Sequence, residues 1–130
     1  MKDQRSFLGK KGEDLAFAYL QKLGYKVLIQ NYRVRFGEID IIAKDSGVLV
    51  FIEVKTRIGS SFEWPLESVT PRKQRQLSKV ALEFIGRFGF HDKPARFDVI
   101  AVLFGRSQRS LKNSAKIELI KNAFELCDGR

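Results

Sequence analysis

The sequence has very little of two residue types that build common active sites. Among its 130 residues there is one cysteine, Cys127, and one histidine, His91. A lone cysteine excludes an internal disulfide and any cysteine-based zinc cluster. A lone histidine has no partner for a zinc site or for a histidine-based catalytic triad. We therefore expect His91 to be a surface residue and Cys127 to have no chemical role.

Long apolar runs are also missing. No stretch approaches the roughly 20 apolar residues that span a bilayer, and the N-terminal Met-Lys-Asp-Gln-Arg-Ser is followed by no continuous apolar core typical of a secretory signal. The chain has no internal repeat and no glycine-rich phosphate loop of the Walker type. We expect a cytoplasmic protein without a membrane partner, folded as a single domain over residues 1–130.

Acidic residues are outnumbered by basic ones. The chain has 24 Lys and Arg against 15 Asp and Glu, for a formal net charge of +9. Small basic domains commonly bind phosphate polymers, because Lys and Arg release condensed counterions on binding. Basic surfaces also occur without a polyanion partner. The charge therefore favours nucleic acid as the partner.

The stretch 36–57 organises the rest of the chain. Two runs of alternating, β-branched residues flank Ser46 and Gly47, a composition typical of a β-hairpin. A two-residue or four-residue turn centred there places Asp40 opposite Glu53 on one face of the hairpin. A three-residue turn would move Glu53 to the other face, since a slip of one residue inverts every side chain.

Two explanations fit a pair of opposed carboxylates. A divalent metal with oxygen ligands would relieve their repulsion, and the ammonium of Lys55 would do part of it. The alternative is a solvated charged face, in which Glu38 and Lys55 form an ordinary cross-strand pair. In that case the charges form only salt bridges, as in a structural or interaction protein.

Four blocks of the sequence resemble a known family. They are Gly12-Glu13, Gly37-Glu38-Ile39-Asp40, the run Phe51-Ile52-Glu53-Val54-Lys55-Thr56-Arg57, and Arg96-Phe97-Asp98-Val99. Together, and in this order, they resemble the YraN family of small bacterial proteins, which are regarded as endonuclease-like and similar to archaeal Holliday junction resolvases. The set Asp40, Glu53 and Lys55 resembles the active-site signature of the wider PD-(D/E)XK nuclease superfamily.

The resemblance implies a function and a set of site residues. It implies a restriction-endonuclease-like fold and a metal-dependent endonuclease that acts on DNA, with branched or otherwise structured DNA as one substrate class. Asp40, Glu53 and the Val54 carbonyl would bind Mg²⁺ or Mn²⁺, with Glu13 reaching the ion through water. Lys55 would orient the attacking water or stabilise charge on the phosphate. A homodimer is expected by analogy alone. The alternative function is a nucleic-acid-binding module that keeps this fold without hydrolysis.

Periodicity predicts the remaining elements. We expect a first helix over about Lys10 to Leu23 with Ser6 as a candidate N-cap, and a second helix from Pro71 to about Phe88. Both faces of a strand at 96–104 are apolar, which indicates a central strand, and Asp98 at its start is expected to pair with Arg96 or a loop. With strands at 25–35 and 116–120, the fold is α/β: a mixed sheet of about five strands between helices.

Cations cluster where the second helix begins. Arg72, Lys73 and Arg75 oppose the helix dipole there, which indicates an external anion such as phosphate. We predict that Lys73 contacts substrate and that Arg57 holds a flanking phosphate. The alternative is exposed helix charges with no role. The loop that carries Phe62 and Trp64 either stacks on a nucleotide or covers the sheet edge, and we favour the second.

Overall fold

The computed structural model describes residues 4–59, 69–105 and 115–126. These residues form two helices and five strands. In chain order they are α1 (Gln4–Lys22), β1 (Lys26–Val34), β2 (Gly37–Asp45), β3 (Val48–Ile58), α2 (Pro71–Phe88), β4 (Ala95–Phe104) and β5 (Lys116–Phe124). The predictions for Phe62, Trp64 and Cys127 lie outside the described residues.

The five strands form one mixed sheet in the order β1-β2-β3-β4-β5. The β3–β4 pair is parallel, with α2 connecting the two strands, and the other three pairs are antiparallel. Helix α1 packs on one face of the sheet and α2 on the other, which confirms the predicted α/β/α architecture. In the described part of the chain, neither helix is long and apolar enough to cross a membrane.

Helix α1 starts earlier than the sequence predicts. It begins at Gln4, so Ser6 lies inside the helix and its prediction as N-cap is wrong. The extra turn has a packing reason, since it brings one more apolar side chain onto the sheet in an i, i+4 ridge. The buried residues of this ridge are Leu8, Ala16 and Leu20.

Gly12 completes the same ridge and sets how closely α1 approaches β3. A Cβ atom at Gly12 would lie 2.1 Å from Thr56 Oγ1, well inside any real contact distance. The missing side chain therefore lets the helix backbone rest directly on the end of β3. This contact fixes the height of the next residue, Glu13, relative to the sheet.

Helix α2 matches its prediction at both ends. The Thr70 hydroxyl caps its first turn by accepting a hydrogen bond from the Lys73 backbone N at 3.2 Å. The helix ends at Gly89, whose φ of 77° is the left-handed conformation that suits glycine. Its apolar stripe packs against the sheet face that carries Phe51, and the buried members are Leu77, Val80, Ala81 and Phe84.

The hairpin between β2 and β3 has the predicted turn. Ser46 and Gly47 have φ values of 50° and 86°, and a two-residue turn with both φ values positive is of type I′. The register runs from Asp45 opposite Val48 to Ile41 opposite Ile52. The predicted parity, on which the proximity of Asp40 and Glu53 depends, is therefore confirmed.

A buried carboxylate joins β4 to its neighbours. The Asp98 side chain is fully buried and accepts hydrogen bonds from Tyr25 Oη at 2.9 Å and from Arg96 Nε at 2.9 Å, which confirms the predicted Arg96 pairing. It also accepts the Asn122 backbone N at 3.0 Å. The bond lies at the register shift between β4 and β5, where the Asp98 side chain gives Asn122 an acceptor. Strand β5 therefore continues to Phe124 and does not end near Ile120 as predicted.

The Asp98 cluster predicts a large stability effect. Asp98→Asn removes the buried charge that accepts from Arg96, Tyr25 and Asn122 and leaves Arg96 with Asp45 as its ion-pair partner, at 2.7 Å. Breaking a buried charged pair by removing one partner costs about 3 kcal/mol. We expect the free energy of unfolding in urea to fall by about that amount. The control is Asp14→Asn, because Asp14 and Lys10 form an exposed pair at 3.9 Å that should contribute less than about 0.5 kcal/mol. Equal losses in the two variants would contradict this account.

Candidate functional site

The candidate site lies where β2 and β3 separate. The ladder between them ends at Ile41 and Ile52, one pair before Asp40 and Glu53. Beyond that point the backbone N of Val54 donates to Asp40 Oδ2 at 2.8 Å, so a side chain takes a hydrogen bond that a strand partner would otherwise accept. The carboxylate of Asp40 is thereby held between the two strands.

The alternation of side chains along β2 also changes at Asp40. Ile41 belongs to the core beneath α1, whereas both Ile42 and Ile39 belong to the core beneath α2. Strict alternation would place Ile39 with Ile41. On the neighbouring strand, Asn31 has a positive φ of 55° and stands opposite Asp40 in the register. The strand pair is therefore locally distorted at the residue that carries the candidate chemistry.

Asp40 and Glu53 form a carboxyl pair. The pKa of Asp40 is raised from its usual 3.8 to about 8, first by burial and then by the nearby charge of Glu53, while the Val54 hydrogen bond acts in the opposite direction. A hydrogen bond between the two carboxyl groups also favours the protonated form of Asp40. Glu53 is itself buried, with 8% of its side chain exposed. The structure thus brings together the two carboxylates that the sequence predicted.

Two lysines converge on Glu53. Lys55 Nζ lies 3.4 Å from Glu53 Oε2, and Lys73 Nζ of α2 lies 3.8 Å from the same oxygen. The cross-strand pair of Glu38 with Lys55, considered above as the alternative, does not form. Glu38 pairs instead with Arg33, at 3.2 Å between Oε1 and Nη2. The two lysines therefore reach Glu53 from different elements, Lys55 from β3 and Lys73 from α2.

Glu13 approaches the pair from the side of α1. Burial and the nearby charge of Glu38 raise the pKa of Glu13, and the charge of Glu13 in turn contributes to the raised pKa of Asp40. With its side-chain nitrogen as the donor, Asn31 bonds to Glu13 Oε1 and to Glu38 Oε2, each at 3.0 Å. Sequence analysis missed Asn31, because a single asparagine in an amphipathic strand carries no signal of its contacts.

The arginines that were predicted to contact phosphates are exposed on the surface. Arg57 is exposed and its Nη1 donates to the backbone carbonyl of Thr56 at 2.9 Å. Arg72 and Arg75 are exposed on α2 near Lys73. Arg57 also lines an open cavity of about 500 Å³ between the start of α1 and the end of β3, together with Leu8, Gly9, Glu13 and the other residues of 54–58. These arginines are placed at the surface, and their predicted contact with substrate stays a prediction.

The donor set suits a hard divalent cation. Among residues 4–59, 69–105 and 115–126, no three or more His, Cys, Asp or Glu side chains are arranged to hold a metal ion. The adjacent acidic donors are thus the carboxylates of Asp40 and Glu53, and the role of the Val54 carbonyl stays a prediction. Mg²⁺ retains several waters and is commonly held by one or two carboxylates, so this set fits it chemically. The water-mediated role of Glu13 stays a prediction.

The raised pKa of Asp40 predicts how stability depends on pH. Between about pH 4 and pH 8 the folded protein keeps a proton that the unfolded chain has released, so the free energy of unfolding falls as the pH rises through this window. In Asp40→Asn, whose amide oxygen can still accept from Val54, this fall should be smaller. The free energy of unfolding should be measured in urea without metal at pH 5 and at pH 8 for both proteins. From pH 5 to pH 8 its difference between Asp40→Asn and wild type should shift in favour of Asp40→Asn by at least about 1.4 kcal/mol, the equivalent of one pKa unit. A constant difference between the two proteins would contradict the assignment.

Comparison with known proteins identifies relatives of the chain. It is 50% identical to a UPF0102 protein of Geobacter sulfurreducens over 119 residues, which cover 92% of this chain and 89% of the relative. It is 49% identical to a UPF0102 protein of Syntrophus aciditrophicus over 123 residues, covering 94% and 91%. A third relative, from Thermodesulfovibrio yellowstonii, is 49% identical over 117 residues, covering 90% and 95%.

The matched region contains the whole candidate site. The profile of the family described as Uncharacterised protein family UPF0102 matches residues 12–102. This span includes Glu13, the β2–β3 hairpin and the start of α2, which are the segments that meet around Glu53. It also covers the four blocks on which the resemblance to the YraN family rests. The chain therefore belongs to the UPF0102 family, which is the YraN family.

Proposed function

We propose that this protein hydrolyses phosphodiester bonds in DNA with the help of a divalent cation. The observation that carries the proposal is the meeting of Asp40 and Glu53 at the separated end of the hairpin, with two lysine ammonium groups on Glu53. A pair of buried carboxyl groups is costly to maintain, because each desolvated charge must be compensated. Strongly perturbed acids of this kind are concentrated at functional sites.

Asp40, Glu53 and the Val54 carbonyl are the groups that would hold Mg²⁺ or Mn²⁺. When bound, such an ion supplies polarisation of the phosphate and a lower pKa for water. The chain contributes a rigid position for each donor. The hydrogen bond from Val54 N fixes one oxygen of Asp40.

Lys55 is the group that we assign to the reacting phosphate. Its ammonium is on the same side of β3 as Glu53 and lies 3.4 Å from it. Charge that develops on a phosphate near Glu53 would be stabilised by this ammonium, and such stabilisation is strongest where water is excluded. Arg57, Arg72 and Arg75 are exposed nearby on β3 and α2, where their guanidinium groups suit contacts with flanking phosphates.

A second candidate is DNA binding without hydrolysis. The observation that favours it is that Glu53 already has two ammonium partners, so its charge is balanced without any ion. The two functions differ in one measurement. The protein should be incubated with Mn²⁺ and with matched duplex, flap, fork, four-way-junction and RNA substrates. Cleavage of a DNA substrate supports hydrolysis, whereas binding to DNA without cleavage of any member of the panel supports the second candidate.

Substitutions at the carboxylate and at the lysine test the chemistry. Glu53→Gln and Lys55→Ala should each reduce Mn²⁺-dependent cleavage by at least about 100-fold, because each removes a charge on which the transition state depends. Circular dichroism and DNA affinity should change little. Glu118→Gln is the matched control, since Glu118 is an exposed strand glutamate on β5. Cleavage that survives both site substitutions would come from another part of the chain or from a contaminant.

The dependence of DNA affinity on salt tests the partner. If phosphate contacts dominate, the logarithm of the binding constant falls linearly with the logarithm of the salt concentration. Arg72→Ala should reduce the slope by about 0.9, the contribution of one phosphate contact. Lys22→Ala should leave it unchanged, because Lys22 ends α1 about two and a half helical turns beyond Glu13, the α1 residue that approaches the candidate site. A wild-type slope near zero would exclude DNA as the partner.

A further inference from the structure

Glu53 has more positive charge around it than it needs. Two ammonium groups lie within 4 Å of one of its oxygens, at 3.4 Å for Lys55 and 3.8 Å for Lys73. One ammonium is sufficient to neutralise one carboxylate. The second is therefore an ammonium group that Glu53 by itself does not require, and it can pair with an anion that arrives from outside.

The two lysines differ in how firmly they are held. The side chain of Lys55 is 20% exposed and projects from the middle of the sheet, whereas that of Lys73 is 37% exposed. The Lys73 backbone is fixed by the Thr70 cap, so that the helix start cannot move freely. Its four-carbon stem, in contrast, has several rotatable bonds. Lys73 is thus the ammonium group that can leave Glu53 without a backbone change.

We propose that Lys73 serves two partners in turn. It neutralises Glu53 while the site holds no cation, and it transfers to a phosphate of DNA once Glu53 binds a divalent ion. The inference rests on the proposed function. Its physical basis is electrostatic: a divalent ion on Glu53 repels an ammonium group that lies 3.8 Å from the same oxygen, and the incoming phosphate attracts it.

This exchange predicts effects of opposite sign on two measurable quantities. Lys73 competes with the metal ion for Glu53, so its removal should tighten metal binding in the absence of DNA. It also contributes a contact to the phosphate, so its removal should slow cleavage even when metal is saturating. A lysine with a purely structural role would weaken both or change neither.

Calorimetric titration with Mn²⁺ in the absence of DNA is the direct test. We expect the full chain carrying Lys73→Ala to bind Mn²⁺ roughly fivefold more tightly than wild type, the size of effect that one removed ion pair produces. Lys73→Arg keeps the charge and should bind Mn²⁺ as wild type does. Lys22→Ala, a lysine removed from the last turn of α1, should also leave the affinity unchanged.

Cleavage of the best DNA substrate at saturating Mn²⁺ supplies the second measurement. Lys73→Ala should reduce the maximal rate about tenfold or more, and Lys73→Arg should restore most of it. Thermal unfolding of each variant checks the fold. If the alanine variant is unfolded, Lys73→Gln takes its place, since glutamine keeps much of the stem and removes the charge.

The results separate this inference from the function on which it rests. If wild type binds Mn²⁺ and cleaves DNA while the uncharged variant binds Mn²⁺ equally or more weakly, the exchange is overturned and the proposed function stands. If wild type neither binds Mn²⁺ nor cleaves DNA, both are overturned. Tighter Mn²⁺ binding together with slower cleavage, both reversed in Lys73→Arg, supports the exchange.

Discussion

The hydrogen bond from the Val54 backbone to the Asp40 carboxylate is the constraint on which the candidate site depends. It replaces a strand-to-strand bond at the point where the ladder ends after Ile41 and Ile52. If the ladder continued, a backbone acceptor of β2 would take the Val54 N–H, and the Asp40 carboxylate would not be held between the two strands. The site is thus built by interrupting a sheet, and the interruption is stabilised by one of the carboxylates that would carry the chemistry.

Both helices and the central strand β3 contribute charged groups to this opening. Helix α1 provides Glu13, β3 provides Glu53 and Lys55, and α2 provides Lys73. The sheet order places β3 in the middle, with α1 and α2 on opposite faces. Groups from both faces can meet only where the sheet is open, and this is why the site lies at the end of the hairpin and not over its face.

Much of this arrangement could be predicted from sequence because it depends on local rules. The turn at Ser46 and Gly47 sets the register, and the register sets the proximity of Asp40 and Glu53. Helix α2 was also predictable, since its proline, its cap and its apolar stripe lie within one segment. Both predictions required only residues that are near one another in the chain.

The features that could not be predicted from the sequence depend on contacts between segments that are distant in the chain. The early start of α1 follows from the packing of Leu8 on the sheet, and the role of Asn31 follows from a left-handed backbone that brings its amide to Glu13 and Glu38. The full length of β5 depends on a bond between Asn122 and Asp98, which are 24 positions apart. The placement of Lys73 on Glu53 was missed for the same reason, although its position at the helix start was foreseen.

The irregular strands β1 and β5 have a consequence for association between molecules. They are the outer strands of the sheet, and a regular outer strand is a template on which another chain can extend the sheet and aggregate. Here each contains a register shift and a residue with positive φ, Asn31 in β1 and Asn122 in β5. Such bulges bend and twist a strand away from the geometry that a neighbour would need. If this protein associates with itself, the contact would therefore use a surface other than the edges of β1 and β5.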